Sequence, residues 1–327
     1  MVRTLLRAGH RPLVVDNLST GHREAVPREA VFLKADIVDR RRITQAMRSH
    51  GTEAVFHFAS RIQVGESVTN PRLYFTSNLG ASIALLESTL EAGVGHFILS
   101  STAAVYGRPV HVPIDESHPT EPVNPYGETK LATEWMLAAY GRAYGLRFAA
   151  LRYFNAAGAD PDDPCGERHV PETHLIPIVL DAAAGLREAV TVYGTDYGTP
   201  DGTCIRDYVH ISDLCEAHLA ALEYLRRGGE SGAFNLGTGI GHSVNEVIQA
   251  AERVSGRKVP VMYGPRRHGD PPSLVASAAR ASQRLGWRPR RPRLDDMIGD
   301  AWAALMRGAA APAHHALVGD ESSPYIS

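Results

Sequence analysis

The hexapeptide "PYGETK" sets a phenol, Tyr126, four residues before an ammonium, Lys130. Four residues is about one helical turn, so on a helix the two side chains share a face. Such a pair can move a proton. A nearby ammonium favours phenolate, draws a pKa near 10 toward neutrality and makes the phenol a general base. Lysine is scarce in the chain: Lys34, Lys130 and Lys258 stand among 34 Lys and Arg. A guanidinium does not replace a compact point charge that must also reach ligand hydroxyls. The plainer alternative is a tyrosine beside a solvated surface lysine. Against it stands "HFILSST", an apolar run that stops at Ser100, Ser101 and Thr102 shortly before Tyr126.

These residues need elements to hold them. Apolar runs recur at 12–16, 30–36, 54–60, 96–102 and 147–155, with helical patterns between, notably 71–93 and 124–145. Continuous apolar strands separated by helices predict an α/β fold, a doubly wound parallel sheet covered on both faces. Ligands of such sheets bind at the carboxyl ends of the strands. The alternation weakens after Asn155. The sequence therefore predicts a dinucleotide-type domain over 1–155 and a smaller substrate domain over 156–307, some of whose segments return to the first. The small, polar stretch 308–327 reads as a disordered tail.

Composition narrows the class. The chain has 327 residues, 44% hydrophobic and 21% charged, with a net charge of −2. That gives no polyanion-binding footprint, so nucleic acid is not expected as a partner. No apolar run approaches the length needed to cross a bilayer, and no signal peptide is apparent. Cys165, Cys204 and Cys215 fit no zinc or disulfide spacing, which points to a cytoplasmic protein.

The motifs "SSTAAVYG", "PYGETK", "LRYFNAAGA", "GTCIRDYVHISDL" and "NLGTGIGHSV", in that order, resemble the extended short-chain dehydrogenase/reductases, and within them the UDP-glucose 4-epimerases. The resemblance runs from about Val2 to Trp302. It implies tightly bound NAD, with Tyr126 as base, Thr102 on the sugar oxygen and Lys130 on the nicotinamide ribose. It assigns to the cofactor Asp16, Asn17, Leu18, Ser19, Thr20 and Gly21, then Asp36 and Ile37 near adenine. Phe58, Ala59, Ser60, Arg61 and Ile62 fall beneath the pyrophosphate and nicotinamide, and Ser77, Asn78 and Phe154 complete the set. The family often has Gly and Lys where Ser60 and Ile62 stand. Asn155, His174, Leu175, Arg206, Arg267 and Asp270 occupy substrate positions, the two arginines suiting a UDP diphosphate. A homodimer through helices 71–93 and 124–145 is also implied.

Plainer readings compete at several places. Asp16 could cap a turn, and Arg206 could pair with Asp207 at the surface. Gly237, Gly239 and Gly241 imitate a dinucleotide loop, but no acid ends a strand about twenty residues on. The resemblance places them instead in the substrate half. No metal is expected, since five-residue spacing would split His169 and His174 across a helix.

Three further expectations complete the reading. The family begins with a strand and a G-x-x-G-x-x-G turn, so about 18 residues would precede Met1. The segment 12–16 would then lie beside 54–60 across a gap, leaving the activity of the chain as written uncertain and a catalytically silent relic as the alternative. A sister 4,6-dehydratase is disfavoured, because Ala103 and Ala104 cannot transfer a proton. Leu274, where hexose-restricted epimerases tend to carry tyrosine, predicts room for an N-acetylated UDP-sugar.

Overall fold

A computed structural model describes residues 1–162, 166–267 and 270–310. The strands are β1 (Leu13–Asp16), β2 (Val31–Lys34), β3 (Ala54–His57), β4 (His96–Thr102), β5 (Arg147–Tyr153), β6 (Asn155–Ala157), β7 (Val190–Tyr193), β8 (Ile205–His210), β9 (Gly232–Leu236), β10 (Gly241–Ser243), β11 (Val261–Gly264) and β12 (Ser273–Leu274). The helices are α1 (Val2–Arg7), α2 (Arg40–His50), α3 (Val64–Thr69), α4 (Pro71–Tyr74), α5 (Ala81–Glu91), α6 (Pro125–Tyr144), α7 (Leu175–Ala184), α8 (Ile211–Arg226), α9 (Val244–Ser255) and α10 (Leu294–Ala310).

The central sheet runs β3-β4-β5-β9, all parallel. Alternation along β4 and β5 splits their side chains between two cores. Phe97, Leu99, Phe148 and Ala150 pack with Ile43 and Met47 of α2, Leu85 and Leu86 of α5, and Leu137 of α6. Ile98, Ala149 and Leu151 pack on the other face with Leu214, Ala217 and Ala221 of α8 and Phe234 of β9. Each large apolar side chain so buried contributes about 1.5–3 kcal/mol. The doubly covered parallel sheet is thus as expected. A separate core joins α7, α9 and α10 to β7, and β6, β10 and β12 all pair with β8.

The pair β1-β2 forms its own parallel ladder, and among the described residues no rung joins it to β3. Val15, Leu33 and Ile37 still pack against the core that holds Val55 and Phe97.

Three expected boundaries shift. The strand expected over 54–60 ends at His57, and Phe58–Ile62 is irregular. The helix expected over 71–93 starts on an Asn70 cap and passes through a π turn at Phe75–Gly80. Residues 308–310 continue α10, while 311–327 lie outside the described residues.

Candidate active site

Tyr126 is placed by the start of α6. The Asn124 side chain accepts the Gly127 N–H at 2.9 Å, and Pro125 presets the first helical position. A side chain at Gly127 would put its Cβ 2.6 Å from the Ala104 carbonyl oxygen. Only glycine lets the helix start abut the turn that follows β4. The phenol is thereby brought against Thr102, the last residue of β4, whose hydroxyl acts to lower its pKa. Thr102 is 9% exposed, and its Oγ1 also accepts the Ala104 N–H at 3.1 Å. One turn along, Lys130 is 3% exposed, and its Nζ donates to Ser60 Oγ and to the Ser100 carbonyl, each at 2.9 Å. The expected Thr–Tyr–Lys grouping is therefore assembled at the carboxyl end of β4.

Its electrostatics differ from the expectation. Burial, then Tyr153, pushes the Tyr126 phenol above its ordinary value, against the Thr102 hydrogen bond. Lys130 Nζ stands 6.0 Å from the phenol ring centroid and is occupied by Ser60 and Ser100. At that distance the protein's own charges do not overcome desolvation. Burial also lowers Lys130 to about 8, opposed by Glu134.

At the ends of β1 and β2, Asp16 Oδ1 accepts the Leu18 N–H at 2.6 Å across a left-handed Leu18. Asn17 Nδ2 donates to Asp36 Oδ2 at 2.9 Å. Gly21 lies against the Asp16 carboxylate, where a Cβ would come within 2.5 Å of Oδ2. Two carboxylates with lone pairs to spare fit ribose hydroxyls and repel a 2′-phosphate, as NAD rather than NADP requires. Asp16 is thus both a turn cap and a free acceptor. Ser19 and Thr20 are exposed beside it, and Ile37 is half-buried.

Asn78 differs from its expected role. It is 1% exposed, accepts the Arg61 N–H at 2.8 Å and donates to the Arg61 carbonyl at 3.0 Å. Both halves of the amide are spent on the loop 58–62, so Asn78 positions that loop rather than reaching a ligand. Ser77 Oγ donates back to the Leu73 carbonyl within its helix. Phe58 and Ile62 are exposed and Ala59 lies between them, while Phe154 packs against the small core of Ala103, Val105, Tyr106, Ile114 and Leu131.

Arg206 does not pair with Asp207. Its Nη2 donates to Asp270 Oδ1 at 3.1 Å. Asp207 is fully buried and accepts N–H groups of Thr238, Gly239 and Ala276. Gly237 packs so closely on Ala276 and Asp207 that a Cβ would clash. The glycine-rich loop is therefore a packing device on β8, in line with its exclusion as a dinucleotide loop. Arg267 lies over the Tyr193 ring at 4.1 Å. Asn155 donates to the Asp207 carbonyl at 3.0 Å, and Leu175 packs into the second core.

Two groupings escaped the sequence. Arg152 donates to both Glu134 oxygens and to Tyr106, which in turn donates to Asn235, and Ser101 also donates to Glu134. The signal was present: Glu134 follows Lys130 by one turn, and Arg152 interrupts a buried strand. The second is Glu167, His169, Glu172 and His174, whose ligand atoms all lie within 4.8 Å of one another. The helical-face objection fails because residues 166–174 form neither helix nor strand. Hydrogen bonds donated to the Glu167 and Glu172 carboxylates raise His169 to about 9 and His174 to about 10.

This geometry has close counterparts. UDP-glucose 4-epimerase of Halalkalibacterium halodurans is 50% identical over 298 residues, 91% of this chain and 89% of that protein. The crystal structure of UDP-glucose 4-epimerase from Brucella ovis in complex with NAD superposes with a TM-score of 0.90 at 48% identity, over 92% of this chain and 93% of that one. The enzyme of Stenotrophomonas maltophila, with bound NAD and formylated UDP-arabinopyranose, gives 0.90 at 42% identity, covering 94% of each. The family model described as NAD dependent epimerase/dehydratase matches residues 1–237. By that span and by these relatives, the chain belongs to the NAD dependent epimerase/dehydratase family.

Proposed function

We propose that the protein interconverts UDP-glucose and UDP-galactose by transient oxidation at the sugar C4, with NAD retained throughout. NAD, when bound, supplies a reversible two-electron acceptor for C4. Tyr126 takes the proton of the 4-hydroxyl and returns it after the 4-keto sugar has turned over in the pocket. Thr102 hydrogen-bonds the same oxygen and passes the proton. Lys130 supplies positive charge below the phenol and reaches the nicotinamide ribose. Asp16 and Asp36 hold the adenosine end, over the loop that Asn78 fixes. Arg206 and Arg267 grip the diphosphate, and Asn155 and His174 face the sugar. The observation that carries this reading is the meeting of Thr102, Tyr126 and Lys130 at the end of β4.

In this reading residues 1–155 bind the dinucleotide and 156–307 mainly bind the UDP-sugar. Two copies associate through the helices of 71–93 and 124–145, where Phe75, Ile83 and Trp135 stand exposed. Among the described residues no helix is long and apolar enough to cross a membrane. The free thiols of Cys204 and Cys215 support a reducing, cytoplasmic setting.

The test is to incubate the chain with NAD and UDP-galactose carrying deuterium at C4. UDP-glucose with the label retained is expected, because hydrogen returns to the carbon it left. No conversion above a cofactor-free control, or label lost to solvent, would overturn the proposal.

A further inference from the structure

We propose that Glu167, His169, Glu172 and His174 form a zinc site that fixes the segment leading into α7. The motif is compact, Glu-x-His-x-x-Glu-x-His over 167–174. His174 Nδ1 lies 2.9 Å from Glu167 Oε1 and 2.8 Å from Glu172 Oε1. His169 Nδ1 lies 3.3 Å from Glu167 Oε1 and from Glu172 Oε2. Zinc–nitrogen and zinc–oxygen distances of about 2.0–2.1 Å imply tetrahedral edges of about 3.3 Å. The imidazole–carboxylate pairs therefore need to part by at most about half an ångström to reach such edges, and all four ligand atoms already lie within 4.8 Å of one another.

The donor set is selective. Two imidazole nitrogens and two carboxylates suit a borderline transition metal, whereas calcium and magnesium prefer oxygen throughout. Binding would displace the two imidazolium protons, and two carboxylates with two neutral imidazoles then balance a divalent charge. An outer layer is in place: the Thr173 and His174 N–H groups donate to Glu172 Oε1 at 2.7 and 2.8 Å and hold that carboxylate against the loop.

The site also has a structural task. Residues 166–173 belong to no helix or strand, and His174 is the residue from which α7 starts. Four ligands within eight residues would cross-link this segment where regular structure does not. Coordination through Nδ1 leaves Nε2 of His174 for other contacts. The inference does not depend on the epimerase reading, and neither does its test.

The chelator-treated chain is titrated with cobalt(II), and its d–d absorption is read. We expect the intense spectrum of a four-coordinate site, saturating at one equivalent and erased by one equivalent of zinc. Zinc should also raise the melting temperature. His169→Asn and Glu167→Gln, each checked for folding by circular dichroism, should weaken cobalt binding at least tenfold. The pair of variants covers the failure of either to fold. No cobalt band from the folded parent, a six-coordinate spectrum, or unchanged affinity in a folded variant would overturn the proposal.

Discussion

Lys130 Nζ donates to Ser60 Oγ at 2.9 Å and so ties α6 to the loop after β3. The ammonium joins the base, on its own helix, to the loop assigned beneath the nicotinamide. Lys130→Met removes a buried charge whose burial opposes ionisation. The variant should melt no lower than the parent at pH 7 while binding NAD at least tenfold more weakly. Calorimetry with NAD beside a thermal melt separates these effects. A lower melt with unchanged NAD affinity would make Lys130 purely structural.

The same lysine sets a pH dependence. Its folded pKa is lowered to about 8, below the unfolded value of 10.5. Below about 8 both states carry the proton and the folded state bears the full cost of burying it. Between about 8 and 10.5 the folded state has lost the proton that the unfolded state keeps, so this cost is relieved as pH rises. NAD affinity should move the other way, falling as pH rises through about 8 and the ammonium is lost. A flat affinity between pH 7 and 9 would exclude Lys130 as a cofactor contact.

Tyr126→Phe removes only the proton acceptor. General-base loss costs about 10²–10⁴ in rate, so turnover should drop by that factor with NAD and UDP-sugar affinity kept. Single-turnover absorbance of reduced nicotinamide reads this directly. Activity within threefold of the parent would remove Tyr126 from its assigned role.

Much of this was legible because it is short-range. The continuous apolar run and the helical pattern located β4 and α6, and Asn124, Pro125 and Gly127 carry the helix start on their face. What could not be read lies in side-chain partners far apart in sequence. Asn78 looked like a ligand residue because its position is right, but its amide is closed on Arg61. Arg206 sits next to Asp207 in sequence, yet successive strand residues point to opposite faces, and Asp270 is the partner in space. The grouping of His169 with His174 was misjudged because a helical period was applied to an irregular segment.

Glu134 and Arg152 are 7% and 8% exposed at their side chains and bonded to each other behind Ser101. Removing one partner leaves a buried charge alone, at a cost of about 3–5 kcal/mol. Glu134→Gln should therefore lower unfolding stability by about that much. The double variant Glu134→Met with Arg152→Met should recover most of it. Urea denaturation measures both, and a single variant within 1 kcal/mol of the parent would show that the pair is compensated elsewhere.

Substrate range is expected to turn on Leu274. This residue ends β12, which pairs with β8 beside Arg206, and it packs against the small core of Ala103, Val105, Tyr106, Ile114 and Leu131. That core begins at Ala103, one residue after Thr102, the assigned sugar-oxygen contact. Leucine lacks the hydroxyphenyl reach of tyrosine, so an N-acetyl group on the sugar should find space. We expect UDP-GlcNAc to be converted to UDP-GalNAc as well as UDP-glucose to UDP-galactose. Leu274→Tyr should cut the acetylated reaction at least tenfold while leaving the hexose reaction within a few-fold, since one misplaced group in a pocket costs about 1–3 kcal/mol. Both rates come from product analysis of parallel incubations. Normal hexose turnover by the parent with no UDP-GalNAc formed would sink the assignment of Leu274 as the size filter.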